Sequence, residues 1–205
     1  TVTVTNLDGS INSMVKETLG ADKISGHIWV DLNENGTFEA TDLVRDVSVD
    51  GVTGDVTATD YARNDDGSLR SQVTRVTSAD GLPSTQSIDA DGDGDIDTQI
   101  TETSSVNGSG EAVTVTETRN QDGTLRSKST STNSADGLTT TVEIDADGNG
   151  TLDQVVTTLL TENPDGSITT LAESYAGDGT TLLSATQTDQ SADRRSTTVS
   201  VDDDG

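Results

Sequence analysis

Aspartates, asparagines and glycines alternate in three segments of this chain in a pattern suited to holding a hard divalent cation. They read DLNENGTFEATD from Asp31, DADGDGDID from Asp89 and DADGNGTLD from Asp145, and a fourth begins at Asp202 as DDDG. Their first aspartates recur every 56 to 58 residues. Calcium takes about six to eight oxygen ligands from carboxylates, side-chain amides and backbone carbonyls, and a glycine at the sixth position lets a short loop turn sharply around it.

In the first segment Asp31, Asn33, Asn35, Gly36, Thr37, Glu39 and Asp42 fall at positions 1, 3, 5, 6, 7, 9 and 12 of an EF-hand-type loop. Phe38 is the apolar residue expected to tie that loop to the fold. Asp42 stands where a bidentate Glu is usual, and its shorter side chain predicts weaker binding. The second segment offers Asp89, Asp91, Asp93 and Asp97, with Gly94 at the turn and Asp95 presenting its backbone carbonyl. The third offers Asp145, Asp147, Asn149 and Asp153, with Gly150 at the turn and Thr151 presenting the carbonyl. Position 12 is Ile100 in one and Val156 in the other, so further ligands must come from water, a neighbouring unit or the DG turns. Affinities on the order of 10⁻⁴ to 10⁻³ M are expected of extracellular sites like these.

The competing account is that Asp, Asn and Gly simply make good turns. It is the preferred one for the remaining DG turns, at Asp66, Asp80, Asp122, Asp136 and Asp165. Magnesium fits less well than calcium because it demands strict, water-rich octahedra. Transition metals lack their favoured ligands in a chain with one His and no Cys.

The elements that must position these loops follow from the runs between them. AVTVTET (112–118), LTTTVEI (138–144) and SITTLAE (167–173) alternate with period two and are rich in β-branched residues. Asn- and Asp-containing turns interrupt them every 11–16 residues, which marks antiparallel hairpins. Aligned on its DG turns, the chain divides into the last strand of a preceding unit (1–5), repeats at 6–63, 64–119 and 120–176, and a truncated repeat at 177–205. Each full repeat of about 56 residues holds four expected strands, three turns and one acidic segment. The expected fold is all-β: tandem four-strand units of antiparallel hairpins stacked in an elongated, calcium-stabilised array. Discrete small sandwiches and propeller-like blades are the alternatives. SINSMVKETLGA (10–21) is the one segment with a weak helical signature. Both ends fall inside repeats, so a fragment of a longer array is expected.

Composition explains why ions would matter. The chain carries 19 Val, 14 Leu, 8 Ile and 1 Phe in 205 residues, too few to build a substantial apolar interior. A net charge of −26 adds self-repulsion, which bound cations would offset while supplying folding free energy. The same charge disfavours nucleic acid and anionic membranes as partners. No apolar run approaches the length needed to span a bilayer, so membrane insertion is not expected. His27 and Trp29 alternate in HIWVD without a nucleophile or second ligand near them in sequence, and no Gly-rich phosphate loop is present, so no enzymatic activity is expected. Thr rows such as Thr114/Thr116 and Thr139/Thr141 raise the alternative of a hydroxyl-rich face for glycan or ice.

The units NDDGSLRS, SADGL and IDADGDG resemble tandem repeats of very large, acidic, secreted bacterial proteins of the RTX and adhesin type. The acidic segments look like the loops of FG-GAP propeller blades, and the DG-hairpin rhythm is similar to RHS/YD repeats. The RTX nonapeptide itself is absent, so a parallel β-roll is not implied. The adhesin-type resemblance implies calcium binding, type I secretion, an extracellular or cell-surface location and a spacer role, with neighbouring repeats and calcium ions as partners and a glycan or surface ligand as a further candidate.

Overall fold

The computed structural model describes residues 1–6, 9–31 and 34–204. Among these described residues, fifteen strands account for nearly all the regular structure. They are β1 (Val2–Thr5), β2 (Ile11–Leu19), β3 (Gly26–Val30), β4 (Leu43–Val49), β5 (Val56–Arg63), β6 (Leu69–Thr77), β7 (Ser84–Asp89), β8 (Thr98–Val106), β9 (Ala112–Asn120), β10 (Leu125–Asn133), β11 (Thr139–Asp145), β12 (Gln154–Glu162), β13 (Ile168–Ala176), β14 (Leu182–Gln190) and β15 (Thr197–Asp202). Among the described residues the only helix is one 3-10 turn, Ala40–Asp42, and no helix is long and apolar enough to cross a membrane.

The chain forms two compact units, 1–101 and 102–205, with the division inside β8. In each, every strand is antiparallel to its sequence neighbours, and strand order is chain order. Four strands begin in each of 6–63, 64–119 and 120–176, with β9 ending one residue past the second. Pairing does not stop at those boundaries: β5 pairs with β6 in the first unit, and β9 with β10 and β13 with β14 in the second. Sandwiches and separate four-stranded blades are thereby replaced by continuous sheet within each unit. The segment 10–21, whose Ile11, Met14, Val15 and Leu19 mimic a helical stripe, is strand β2. Its backbone groups are taken by β1 on one side and β3 on the other, and that cross-strand pairing overrides the local spacing.

The hairpin turns share one construction. In the β5–β6 turn, Asn64 N donates to Ser68 O (3.0 Å), Gly67 N donates to Asn64 O (2.9 Å), and Gly67 sits at φ +83°. Asp66 Oδ1 accepts both Ser68 N (3.0 Å) and Ser68 Oγ (2.6 Å), an Asx turn that holds the reversal. The same pattern recurs around Gly123 and Gly166. A left-handed position is obligatory there, and glycine takes it without a Cβ penalty.

The packing of these sheets departs from ordinary globular proteins. No hydrophobic side chain among the described residues is fully buried. Val and Leu are only partly covered by their row neighbours, and Val199 and Val201 remain more than half exposed. The buried side chains are instead four aspartates: Asp31, Asp42, Asp89 and Asp145.

Candidate metal centres

Meander topology places the acidic loops. Connections between successive strands alternate between the two ends of a sheet, so the β3–β4 and β7–β8 loops of the first unit share one end. In the second unit the β11–β12 loop shares an end with the β9–β10 and β13–β14 turns. Each acidic loop begins where a strand stops: β7 ends on Asp89 and β11 on Asp145, while Asp31 follows β3.

The leading aspartate folds the loop over itself. In the third loop Asp145 Oδ1 accepts Gly148 N (2.8 Å) and Asn149 N (3.2 Å), and Oδ2 accepts Gly150 N (2.9 Å). In the second, Asp89 Oδ1 accepts Gly92 N (2.6 Å) and Oδ2 accepts Gly94 N (3.1 Å). In the first, Asp31 accepts Asn35 N (3.2 Å) and Gly36 N (2.8 Å). The N–H donors satisfy a carboxylate buried to 3 or 4 % exposure, and the loop backbone gains partners it would otherwise lack.

Around that buried group two further carboxylates converge. Oxygens of Asp89, Asp91 and Asp97 lie within 4.8 Å of one another, as do those of Asp145, Asp147 and Asp153. The ninth-position aspartates reach back across their loops, Asp97 Oδ2 accepting Ala90 N and Asp153 Oδ2 accepting Ala146 N, each at 2.7 Å. Each pair of like charges at that range repels by on the order of 1 kcal/mol in water and more where solvent is excluded. Either triad could hold a metal ion; its oxygen-only chemistry fits a hard cation.

At the fifth position Asp93 lies outside its carboxylate triad, its Oδ1 accepting Asp95 N at 2.8 Å, whereas Asn149 Oδ1 accepts Thr151 N at 2.8 Å and its Nδ2 donates to Oδ2 of the triad's Asp147 at 2.8 Å. Thr151 Oγ1 also donates to Asn149 Oδ1. In the first loop Asn33 lies outside the described residues. Asn35 Oδ1 accepts Thr37 N (2.8 Å), and Glu39 Oε1 accepts Asn35 Nδ2 (2.9 Å) and Thr37 Oγ1 (3.1 Å). Asp42, 1 % exposed, accepts Glu39 N at 2.9 Å, and with Glu39 forms a reciprocal cap on the 3-10 turn. Among the described residues no carboxylate triad forms in this loop. Arg63, beside Asp42 in the same concavity, donates Nη1 to Gly67 O at 3.3 Å and brings a positive charge to that end.

Two residues essential to loop shape escaped the motif reading. Gly92 and Gly148, at position four, adopt φ +79° and +72°. A Cβ there would sit 2.4 Å from Leu69 O and 2.3 Å from Leu125 O, so each loop lies against the backbone of the preceding hairpin. The DADG spelling at 89–92 and 145–148 was the available signal. In the first loop Glu34 occupies the equivalent position at φ +57°.

The other DG turns behave as turns. Hydrogen bonds from Ser68, Thr124 and Ser167, hydroxyl first and backbone N–H second, hold Asp66, Asp122 and Asp165 below the usual carboxylate range. Asp178 is lowered furthest, to about 2, by the Thr181 hydroxyl, Thr181 N and Thr180 N. His27 pairs through Nδ1 with Asp46 at 3.0 Å and packs against Trp29 in a tilted arrangement with ring centroids 5.2 Å apart; Lys16 Nζ sits 4.6 Å from the Trp29 ring centroid. That surface cluster ties β2, β3 and β4 together.

Comparison with protein-family models and with curated proteins returns no match for this chain.

Proposed function

We propose that this chain is a calcium-binding structural segment, a stretch of spacer repeats from a large secreted or cell-surface bacterial protein of adhesin type. The observation that carries the reading is the identity of the buried groups. Among the described residues the sheets enclose no apolar core, and three of the four buried side chains are the aspartates that head the recurring loops. A fold that covers carboxylates rather than hydrocarbon stands to gain its cohesion from what those carboxylates bind. Two of the loops add exposed or half-exposed partners at positions three and nine, leaving room for water to complete a coordination shell. Binding coupled to folding would let low calcium keep the chain loose for export and millimolar calcium stiffen it outside the cell.

Calorimetric titration of chelator-treated protein with calcium, paired with thermal melts, tests this. The expected result is at least two sites with Kd on the order of 10⁻⁴ to 10⁻³ M and a midpoint that climbs with calcium. A melting curve unmoved by millimolar calcium would overturn the proposal.

A further inference from the structure

The two faces of the second unit's sheet differ in charge, and the registers define which residue lies on which. Ser131, Val142, Val156, Ser174 and Ser184 form one row across β10 to β14. Two residues along, Thr140, Thr158, Ala172, Thr186 and Val201 form the next row on the same face. The row between them, Thr141, Thr157, Glu173, Ala185 and Asp202, belongs to the opposite face, because successive side chains alternate. Extended over all paired positions of β9 to β15, the first face carries a single ionisable side chain, Glu162, at the end of β12. Its hydrogen bonds join neutral groups, such as Gln154 Nε2 to Ser174 Oγ at 2.7 Å and Thr140 Oγ1 to Asn133 Oδ1 at 2.7 Å, except at the end of β14, where Arg194 of the following turn donates to Gln190 Oε1 at 2.9 Å. The opposite face collects Glu117, Lys128, Glu143, Glu173, Asp189 and Asp202. Its bonds are ionic or charge-assisted: Lys128 to Glu117 at 3.2 Å, Tyr175 Oη to Glu173 at 2.9 Å and Thr169 Oγ1 to Asp189 at 2.7 Å.

Such segregation is absent from the first unit. There the face holding Ile28, Val73 and Ile88 also carries Glu17, Arg45, Asp60 and Arg75, with Arg45 paired to Asp60 through two contacts of 2.5 and 2.8 Å. The neutral surface is a property of β9 to β15 alone, in a chain whose net charge is −26.

We propose that this neutral face of β9 to β15 packs against the same face of a second copy of the chain. Three arguments select that occupant. Seven strands spaced about 4.8 Å apart and about 30 Å long offer roughly 900 Å² per copy, the size of one side of a standard stable interface. Two copies stacked face to face lie about 10 Å apart, so the carboxylates on their outer faces stand about 20 Å from one another, more than two screening lengths at physiological salt. Packing the opposite faces together would instead bring carboxylates such as Glu143 and Glu173 into contact. Other partners fit less well: the aromatic Tyr175, which a sugar would stack on, belongs to the charged face, and the paired positions of the neutral face carry no cation for a phosphate, Arg194 lying in the turn beyond Gln190. Small β-branched and hydroxyl side chains, including Val142, Val156 and Thr158, would form the interdigitated layer of a sandwich that a lone sheet lacks.

Thr157 and Thr158 supply a matched test, being adjacent threonines of β12 on opposite faces. Sedimentation equilibrium in calcium-containing buffer at about 0.15 M salt would follow mass against concentration for the parent, T158D, T157D and a second neutral-face variant, T188D. The expected result is a parent that moves from 21.2 kDa towards twice that mass, a T157D that does the same, and T158D and T188D with dimer dissociation constants raised at least tenfold. Circular dichroism confirms that each variant is folded. A parent that stays monomeric to millimolar concentration overturns the proposal whatever the variants do, as does equal weakening by T157D and T158D, or retention of parent mass alongside binding to a polysaccharide.

Discussion

Aspartate does three different jobs in this chain, and geometry separates them. At Asp89 and Asp145 it is buried and gathers backbone N–H groups; at Asp91, Asp97, Asp147 and Asp153 it supplies converging, more exposed carboxylates; at Asp66, Asp122 and Asp178 it props open-faced turns. The turn aspartates give a pH signature. Asp178 titrates near 2 in the folded chain, below its ordinary value of 3.8, so its contribution is present above about pH 4 and is lost as pH falls towards 2. D178N is expected to melt below the parent at neutral pH, with the two midpoints converging between pH 4 and 2; a constant gap would refute the assignment. Arg194 provides a second test. In the SADRR turn it occupies the place Gly81 and Gly137 take in the SADGL turns, donating its N to Ser191 O at 2.9 Å, but at φ +61°. A left-handed residue with a Cβ costs roughly 1 to 2 kcal/mol, and the added chain entropy of glycine returns about half of one. The exposed bond from Arg194 Nη1 to Gln190 Oε1 (2.9 Å) offsets little. R194G is therefore expected to stabilise the fold by about 0.5 to 1 kcal/mol in denaturant titrations.

At the scale of elements, the strands were legible in the sequence because two independent signals coincided: β-branched alternation within runs such as 112–118, and a glycine that must turn left-handed at each end. The acidic segments were legible as loops, yet their internal architecture was only half so. Position six was recognisable as a turn glycine, whereas the need for glycine at position four depends on the backbone of Leu69 or Leu125, which is remote in sequence. The weak helical signature of the β2 segment has a related cause, since helical spacing is local and the partners β1 and β3 are not. The two glycines of the third loop convert this distinction into a measurement. Gly150 has open space where a Cβ would go, so G150A is expected to cost about 1 kcal/mol, from φ +86° alone. Gly148 meets Leu125 O, so G148A must displace backbone and is expected to cost about 2 kcal/mol or more. Equal losses in the two variants would mean that the loop does not rest on the preceding hairpin.

For the molecule as a whole, the governing quantity is −26 charges on sheets with no fully buried hydrophobic side chain among the described residues. Repulsion that ordinary proteins outweigh with apolar burial is here a large fraction of the balance, so stability should follow the ions in solution. Raising sodium chloride from about 0.01 to about 1 M shortens the screening length from roughly 30 to 3 Å, and the melting midpoint is expected to rise accordingly. Screening is indifferent to which cation supplies it; coordination is not. Calcium chloride at matched ionic strength is expected to raise the midpoint further, and that excess reports the loops. The variant D91N/D97N/D147N/D153N keeps the buried Asp89 and Asp145 that fold the loops but strips the converging charges. It should gain from sodium chloride no more than the charge it lost allows, and should lose most of the calcium excess. Were the excess to persist undiminished, the two triads would be excluded as its source, and calcium would have to act through the first loop or through charge density alone.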